Sequence, residues 1–193
     1  KAADSLPGTA GSYYLTQSVT ADWTVPTGEV NLCLNGQTIS GSITVVSGAT
    51  LTLTDCSGNG KVQGEVTVNG GKFTGNTAGE NGGAIYNDGV LFLTGTNTFT
   101  NNTAADKPND IYNAGTITVE GGTTTLGSGL IMANTGTVKV LNSTMQIGAL
   151  TANGGTMFVD PAYVKIDSVA SSTFGTQLLV SSGSTVNIGG MPE

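Results

Sequence analysis

The aspartates of this chain fall into two groups whose spacing would allow acid–base chemistry. Asp88, Asp106 and Asp110 surround one predicted turn, and Asp160 and Asp167 lie in a later stretch. Hydrolysis of a glycosidic bond by two carboxyl groups requires them about 5–10 Å apart. Aspartate in turn-like sequence commonly accepts hydrogen bonds from backbone amides instead. We therefore expect structural aspartates and no enzyme. A carbohydrate-active protein of the polysaccharide lyase or glycoside hydrolase type, using carboxylates alone, is the alternative.

Histidine and arginine, two residue types that active sites commonly use, are missing from the chain. Its only basic side chains are six lysines. Serine and cysteine nucleophiles need a histidine or an equivalent base. Zinc sites built on histidine or on four cysteines are excluded as well, because the chain has no histidine and only two cysteines. Calcium prefers oxygen ligands, so Asp106, Asn109 and Asp110 are the remaining candidates for a metal site. We expect no cofactor.

The charge balance limits the partners that the chain can bind. The net charge is −7, and the lysines are scattered along the sequence. A nucleic-acid-binding face needs clustered cations, so a nucleic-acid partner is not expected. No apolar run approaches the length of about 18 residues that a membrane-spanning helix needs. Many glycine, threonine, serine and asparagine residues with few charges are typical of exported bacterial proteins. We predict an extracellular or cell-surface location, with host or cell-surface proteins or glycans as partners.

A turn followed by a short apolar strand recurs along the chain and would position these side chains. Each copy begins at a glycine, often just after an asparagine, as in Asn87-Asp88-Gly89. The copies follow one another at about 20 residues, which is typical of a solenoid. We predict an all-β fold, a right-handed single-stranded parallel β-helix (β-solenoid) of about seven to eight coils. The side chains expected to face inward are Val30, Leu32, Leu51, Leu53, Leu91, Leu93, Ile117, Val119, Val138, Val140, Met157 and Val159.

The regular repeat divides the chain into two parts. Residues 1–27 precede it and are predicted to form an N-terminal tail and a β cap, in which Trp23 packs against the first coil. Solenoids need such caps because an open end coil exposes unpaired strand edges. Residues 28–193 are predicted to form the parallel β-helix. The sequence ends without an obvious cap, so we expect the chain to be part of a longer protein.

Two intervals are longer than the period and predict protruding loops, residues 101–110 and 160–174. Extra residues must leave a coil whose perimeter is fixed by stacking, and loops on a rigid scaffold often carry function. A competing hypothesis makes Tyr163, Val164 and Ile166 one more coil strand. The residues predicted to contact a partner are Asp106, Lys107, Asn109, Asp110, Tyr163, Lys165 and Asp167.

The two cysteines lie about one coil apart in the sequence. Cys33 and Cys56 are separated by 23 residues, and neighbouring coils stack about 4.8 Å apart, within reach of a disulfide. Cys33 lies five residues after its repeat glycine, Gly28, whereas Cys56 lies eight residues after Gly48. The two cysteines are therefore not at equivalent positions of their coils, and their side chains would meet only diagonally. A disulfide and two separate thiols remain equal alternatives.

Asparagines recur at one corner of the predicted coils, at positions 69, 87, 113, 134 and 153. Stacked at the same corner, their side chains would hydrogen-bond along the axis, as amide ladders do in cross-β structures. We expect this row to be structural.

The stretch of residues 71–104 carries two short motifs of a known repeat. Residues 82–85 spell GGAI, and an FxxN pattern stands on each side of it, at Phe73 with Asn76 and at Phe99 with Asn102. This order resembles the polymorphic outer membrane protein repeats. Residues 30–55 are similar to β-helical surface proteins of Gram-positive gut bacteria.

The resemblance implies a right-handed β-helix in a secreted or surface-displayed, adhesin-like protein. With the missing catalytic residue types, it predicts a non-catalytic module that serves as an adhesin segment or as a rigid spacer.

Overall fold

The computed structural model describes residues 1–46, 48–57, 60–63, 65–105, 107–172 and 175–190. The described residues contain strands and turns and no helix. In chain order the first strands are β1 (Ala2–Ala3), β2 (Gly11–Leu15), β3 (Trp23–Val25), β4 (Gly28–Cys33), β5 (Thr38–Ser40), β6 (Ile43–Val45), β7 (Ala49–Thr54), β8 (Lys61–Gln63), β9 (Glu65–Asn69), β10 (Lys72–Thr74), β11 (Thr77–Ala78) and β12 (Ile85–Asn87). They are followed by β13 (Val90–Thr100), β14 (Thr103–Ala104), β15 (Lys107–Pro108), β16 (Ile111–Asn113), β17 (Thr116–Leu126), β18 (Leu130–Met132), β19 (Thr137–Ala152), β20 (Thr156–Asp160), β21 (Tyr163–Ser172), β22 (Gln177–Val180) and β23 (Thr185–Gly190).

The strands stack in parallel on three faces of a β-solenoid of about eight turns, which confirms the predicted fold. The first face runs from β2 through β4 and β7 to β10 and then along the second halves of the long strands to β23. The second face runs from β3 through β6 and β9 to β22. The third face contains β5 and β8, followed by β12, β16 and β18 and the last parts of β19 and β21. In the middle of the described chain, each coil contributes one segment to each face.

The core is a set of inward rows that run along the axis. All twelve side chains predicted to face inward are at most 8% exposed. Equivalent positions pair directly across coils, for example Leu91 with Ile117 and Ile117 with Val138. Strand side chains alternate between the two sides of a sheet. Stacking in register therefore turns a repeat every 20 or so residues into a continuous apolar interior.

The strands predicted as a cap stack as a coil of the solenoid. Strand β2 pairs in parallel with β4, and β3 pairs in parallel with β6. Trp23 is buried, and its indole N–H donates to the carbonyl oxygen of Pro7 at 2.9 Å. Strand β1 in turn pairs in parallel with β2. The periodic stacking thus begins before residue 28, because the pairing does not require the glycine that marks the later repeats.

The second predicted loop is wrong for the part that the structure describes. Strand β21 pairs in parallel with β19 on one side, and its first part pairs with β23 on the other. Val164 and Ile166 are buried, as the competing hypothesis of a coil strand requires. The alternation of apolar and polar residues from Tyr163 onward fits a strand. Phe174, at the end of the predicted loop, lies outside the described residues.

Cys33 and Cys56 form a disulfide, with their Cα atoms 6.0 Å apart. Cys33 ends β4, and Cys56 follows β7, its neighbour on the first face. The diagonal offset is bridged because the chain turns away from the face after Thr54. The bond therefore links two successive coils near the corner where the first face leads into the third.

Candidate functional site

A projection stands at the corner between the first and third faces, and we call it the corner insertion (residues 75–84, 101–105 and 107–110). Two successive coils contribute to it, and β11 of one pairs in parallel with β14 of the next. Strand β15 then returns antiparallel to β14 as a short hairpin. The interval analysis detected residues 101–110 but missed residues 75–84, because the glycine spacing around them is not longer than the period.

The GGAI motif is packed against the backbone of this insertion. The Gly83 N–H donates to the carbonyl oxygen of Asn109 at 3.1 Å. A Cβ at Gly83 would lie 2.4 Å from that oxygen and 2.6 Å from the Thr103 nitrogen. Gly82 has a φ of 67°, a conformation that side chains disfavour. The two glycines are therefore required by close backbone approach within the fold.

The interior of the corner insertion is a polar cluster. The Asn76 backbone N–H and side-chain amide both donate to Oδ1 of Asn102 at 2.9 Å. The Asn102 Nδ2 donates to Oδ1 of Asp110 at 2.7 Å. The other Asp110 oxygen accepts from the Ser128 N–H at 2.7 Å and from the Gly129 N–H at 3.1 Å. The carboxylate thus ties the insertion to the next coil.

Three buried polar atoms in this region have no hydrogen-bond partner among the described residues: Oδ1 of Asn76 and both side-chain polar atoms of Asn109. Buried polar groups are nearly always paired with protein or with ordered water. An internal water molecule is the expected partner of these atoms.

The prediction that Asn109 and Asp110 contact a partner is wrong. Asn109 is 2% exposed and Asp110 is 0% exposed, so neither side chain is accessible. Lys107 is exposed on the hairpin, and its role as a contact stays a prediction. Asp106 lies outside the described residues. The long interval between repeat glycines predicted a protruding loop, whereas the chain returns to the coil at Asn109 and buries both side chains.

A calcium site on these residues is not supported by their geometry. Both oxygens of Asp110 already accept hydrogen bonds from Asn102, Ser128 and Gly129. Within the described ranges, no group of three or more histidine, cysteine, aspartate or glutamate side chains could hold a metal ion.

Burial raises the pKa of Asp110 above its ordinary value of 3.8, while its hydrogen bonds with Asn102, Ser128 and Gly129 act in the opposite direction. A folded-state pKa above the unfolded-state value means that the ionised carboxylate lowers stability at pH values above the folded pKa. As the pH falls from the folded-state pKa towards 3.8, the folded protein binds a proton before the unfolded protein does, and the lost stability is regained. The charge is tolerated because three hydrogen bonds of the cluster, from Asn102, Ser128 and Gly129, are donated to the carboxylate.

We expect Asp110→Asn to lower the free energy of unfolding by about 1–3 kcal/mol near neutral pH. An amide side chain has one oxygen that accepts hydrogen bonds and one nitrogen that donates them. Either the Asn102 Nδ2 or the backbone N–H groups of Ser128 and Gly129 therefore lose their acceptor. Because only the wild type regains stability on protonation, its advantage should grow as the pH is lowered towards 3.8. Urea unfolding of both proteins at several pH values measures this difference.

Asp167→Asn is the matched control for this prediction. Asp167 pairs with Lys165 at 2.6 Å, but both side chains are about half exposed, and the hydrogen bond with Asp167 raises the pKa of Lys165. Exposed pairs of this kind contribute little to stability. Equal effects of the two substitutions, or an Asp110→Asn protein as stable as the wild type, would contradict the role given to Asp110.

The FxxN motifs form an aromatic stack and an amide ladder. The rings of Phe73 and Phe99 lie 4.5 Å apart with an interplanar angle of 2°. Three residues further on, Asn76 and Asn102 are bonded across the same two coils. The motif spacing is the sequence signal that would have located this ladder, because residues that share a repeat position stack along the axis.

The asparagine row that the sequence predicted is only partly formed. The Asn87 Nδ2 donates to Oδ1 of Asn113 at 2.7 Å. The same position is then occupied by Met132 and Ala152. The other three predicted members are exposed: Asn69, Asn134 and Asn153. Asn69 ends β9 on the second face, at another corner of the coil, and Asn134 and Asn153 lie in turns beyond the ends of β18 and β19, so equal offsets from a glycine do not place these asparagines at one position.

A cleft opens in the third face where its strand pairing is interrupted. Strand β8 pairs with β5, and β12 pairs with β16, but no hydrogen-bonded pairing joins β8 to β12 in the part of the chain that the structure describes. The cleft has a volume of about 680 Å³. Its apolar lining includes Leu34, Leu53, Val62, Val66, Phe73, Ala84 and Ile85, and its polar lining includes Asp55, Lys61, Glu80, Asn81, Tyr86 and Asp88. We call it the third-face cleft.

Two tyrosines stack on the outer side of the third face beside this cleft. The rings of Tyr86 and Tyr112 lie 5.1 Å apart with an interplanar angle of 10°, and Tyr86 is 48% exposed. The pKa of Tyr86 is raised, first by burial and then by the charge of Asp88, with smaller effects of Tyr112 and Glu80. The exposed ring of Tyr86 is therefore close enough to the carboxylates of Asp88 and Glu80 for their negative charge to act on it. The sequence analysis missed this site because its residues belong to two separate coils.

The remaining predicted contacts lie elsewhere on the molecule. Tyr163 is half-buried on β21, and its hydroxyl oxygen accepts from the Asn187 Nδ2 at 3.0 Å. Lys165 and Asp167 form the exposed ion pair described above. Asp160 accepts a hydrogen bond from the Ser181 hydroxyl. These residues lie on or just before β21, away from the third-face cleft, and their contact with a partner stays a prediction.

No protein-family model, curated protein or solved structure shows a significant match to this chain. The resemblance to the polymorphic outer membrane protein repeats therefore stays a prediction from the GGAI and FxxN motifs. Among the described residues, no helix has the length and hydropathy needed to cross a membrane.

Proposed function

We propose that this protein is a non-catalytic, adhesin-like module of a secreted or cell-surface bacterial protein, which presents a binding surface on a stiff β-solenoid. The observation that carries the proposal is the third-face cleft, a concave surface lined by both apolar and polar side chains, with the exposed Tyr86 beside it. Pockets of this size with apolar walls and a few polar groups are the usual form of binding sites.

The positions of the aspartates favour binding over hydrolysis. Asp110 is enclosed with both oxygens bonded to donors of the fold, and Asp160 is bonded to Ser181. Asp167 is paired with Lys165. Each of these three candidate carboxylates thus has a structural partner, whereas Asp88 is exposed at the cleft and Asp106 lies outside the described residues. A carbohydrate-active enzyme remains the alternative hypothesis.

An extracellular location is supported by the disulfide between Cys33 and Cys56. Disulfides persist in oxidising compartments and are rare in the reducing cytosol. The low content of charged residues, 10% of the chain, fits the composition expected of an exported repeat protein.

Binding and cleavage assays on the same preparation test the proposal. We expect the fluorescently labelled protein to bind saturably to cell surfaces or to immobilised surface extracts, and to release no product from a panel of polysaccharides. Polysaccharide cleavage that is lost in Asp110→Asn or Asp160→Asn, while the fold is retained by circular dichroism, would establish the enzyme instead. Absence of saturable binding would reject the adhesin-like function in favour of a spacer.

A further inference from the structure

Five asparagines of this chain are followed directly by glycine, a sequence that can modify itself without an enzyme. The backbone nitrogen of the glycine attacks the side-chain amide carbon of the asparagine, and the missing side chain of glycine leaves that approach open. A glycine N–H that donates a hydrogen bond must first be released by local opening of the fold. The five pairs begin at Asn35, Asn59, Asn69, Asn81 and Asn153.

Two of these pairs are held by one carboxylate. The Gly36 N–H donates to Oδ1 of Asp55 at 2.8 Å, and the Gly60 N–H donates to Oδ2 of Asp55 at 2.6 Å. The side chain of Asn35 is bonded as well, because its Nδ2 donates to the Leu15 carbonyl oxygen at 3.0 Å. Attack by either glycine nitrogen would therefore cost a hydrogen bond to a charged acceptor.

Two further pairs are held by the neighbouring coil. The Gly70 N–H donates to the Thr94 carbonyl oxygen at 2.9 Å. The Gly154 N–H donates to the Thr176 hydroxyl oxygen at 3.2 Å. The stacking of coils thus protects these glycine nitrogens in the same way as it pairs the strands.

The pair Asn81–Gly82 differs from the other four. Among the described residues, the Gly82 N–H donates to no acceptor, and the Asn81 side chain has no hydrogen-bond partner. Asn81 is exposed and lies between β11 and β12, outside both strands. Gly82 is buried, but its attack on the adjacent side chain is intramolecular, and water is needed only afterwards, at the exposed Asn81. Both reacting groups are therefore free of the hydrogen bonds that restrain the other pairs.

From this contrast we infer that Asn81 is a self-modification site of the folded protein, where asparagine converts to aspartate and isoaspartate. The Gly82 nitrogen gives its proton to solvent and forms a bond with Cγ of Asn81. The bond between Cγ and Nδ2 breaks, and Nδ2 takes up a proton and leaves as ammonia. Water then opens the cyclic imide at either of its two carbonyl carbons, which yields aspartate or isoaspartate.

Both products change the lining of the third-face cleft. Asn81 lines that cleft together with Glu80 and Asp88, so the reaction adds a third carboxylate to this part of the lining. Isoaspartate also lengthens the main chain by a methylene group just before Gly82. A Cβ at Gly83 would lie only 2.4 Å from the Asn109 carbonyl oxygen, so the added length should weaken the hydrogen bond between these residues. This modification goes beyond the proposed function and does not depend on it.

Peptide mapping by mass spectrometry tests the inference on the full folded chain during incubation at mildly alkaline pH. Each product peptide is heavier by the replacement of an amide NH2 with OH, and chromatography separates isoaspartate from aspartate. We expect Asn81 to convert at least about tenfold faster than each of the other four asparagines, a factor that corresponds to about one net hydrogen bond.

The same chain unfolded in guanidinium chloride is the control for intrinsic reactivity. All five pairs then share the same Asn–Gly chemistry without the hydrogen bonds of the fold. We expect five similar rates there. The variant Asn81→Gln should form no product at this position on the same timescale, because its longer side chain would have to close a larger ring.

Asn153 provides a matched test of the protection, because it is also exposed and also lies just beyond a strand. Thr176→Val removes the hydroxyl that accepts from the Gly154 N–H. It should raise the conversion of Asn153 about tenfold and leave the rate at Asn81 unchanged. Circular dichroism and urea unfolding verify that the variant is folded.

Three outcomes would overturn the inference. The first is conversion of Asn81 no faster than that of Asn153 in the folded wild type. The second is an Asn81 rate that folding slows as much as it slows the hydrogen-bonded pairs. The third is an unchanged Asn153 rate in folded Thr176→Val, which would remove the hydrogen-bond basis of the argument. Failure of cell-surface binding, in contrast, would reject only the proposed function.

Discussion

Replacement of Phe99 by alanine is expected to lower the free energy of unfolding by about 3–5 kcal/mol. Phe99 is fully buried, and its ring stacks on Phe73 in the coil before it. On the other side, its strand position pairs with Leu126 in the next coil. Truncation would therefore leave a cavity between coils and remove one half of an aromatic pair. Because the coils are continuous, neighbouring strands cannot collapse into the space without losing their register.

Urea unfolding followed by circular dichroism measures this effect, and Phe158→Ala is the matched control. Phe158 also lies on a central strand, but it points outward and is 37% exposed. Surface substitutions usually change stability by no more than about 0.5 kcal/mol. Similar losses in the two variants would show that the stacked Phe73–Phe99 row is not a core element of the solenoid.

Reduction of the disulfide between Cys33 and Cys56 is expected to lower the free energy of unfolding by about 3 kcal/mol. The bond closes a loop with a sequence separation of 23 residues, and the loss of chain entropy in the unfolded state gives a stabilisation of this size. The effect should be concentrated in the early coils, because stability in a solenoid is nearly a sum over neighbouring repeats. It should therefore appear as earlier unfolding of β4 to β8.

The measurement is hydrogen exchange and urea unfolding with and without a reducing agent, with thiol titration to verify reduction. The double variant Cys33→Ala/Cys56→Ala is the control, since its unfolding should not respond to the reducing agent. An unchanged midpoint in the fully reduced wild-type protein would mean that the bond contributes no stability. Fast exchange spread evenly over all coils would contradict the local effect.

The periodic part of the fold could be predicted from the sequence because it depends on local features. Residue pairs such as Leu91 with Leu93 and Val138 with Val140 alternate on a strand, and glycine sets the turn before each pair. Once coils stack in register, this alternation determines which side chains of each strand are buried. All twelve side chains predicted to face inward are buried for this reason, but they form two rows: those of β4 and β7 lie on the first face, and the other eight lie on the second face.

The corners could not be predicted in the same way, because their geometry depends on how neighbouring coils differ. The spacing of glycines does not say whether an insertion projects outward or returns to the core. Asn109 and Asp110 were expected on a surface loop, yet both are buried. Tyr163 was left between another loop and one more coil strand, and the structure shows the coil strand.

The sequence by itself determined the period of the coils and which strand side chains face inward. Its lack of histidine also excluded histidine-dependent catalysis. Only the tertiary structure decided which side chains from different coils meet. It brings Asn102 to Asp110, stacks Tyr86 on Tyr112, and opens the third face between β8 and β12. Contacts along the axis join residues a full coil apart, and the length of each intervening corner sets their alignment. A one-dimensional repeat does not encode that alignment, whereas the stacked coils fix it.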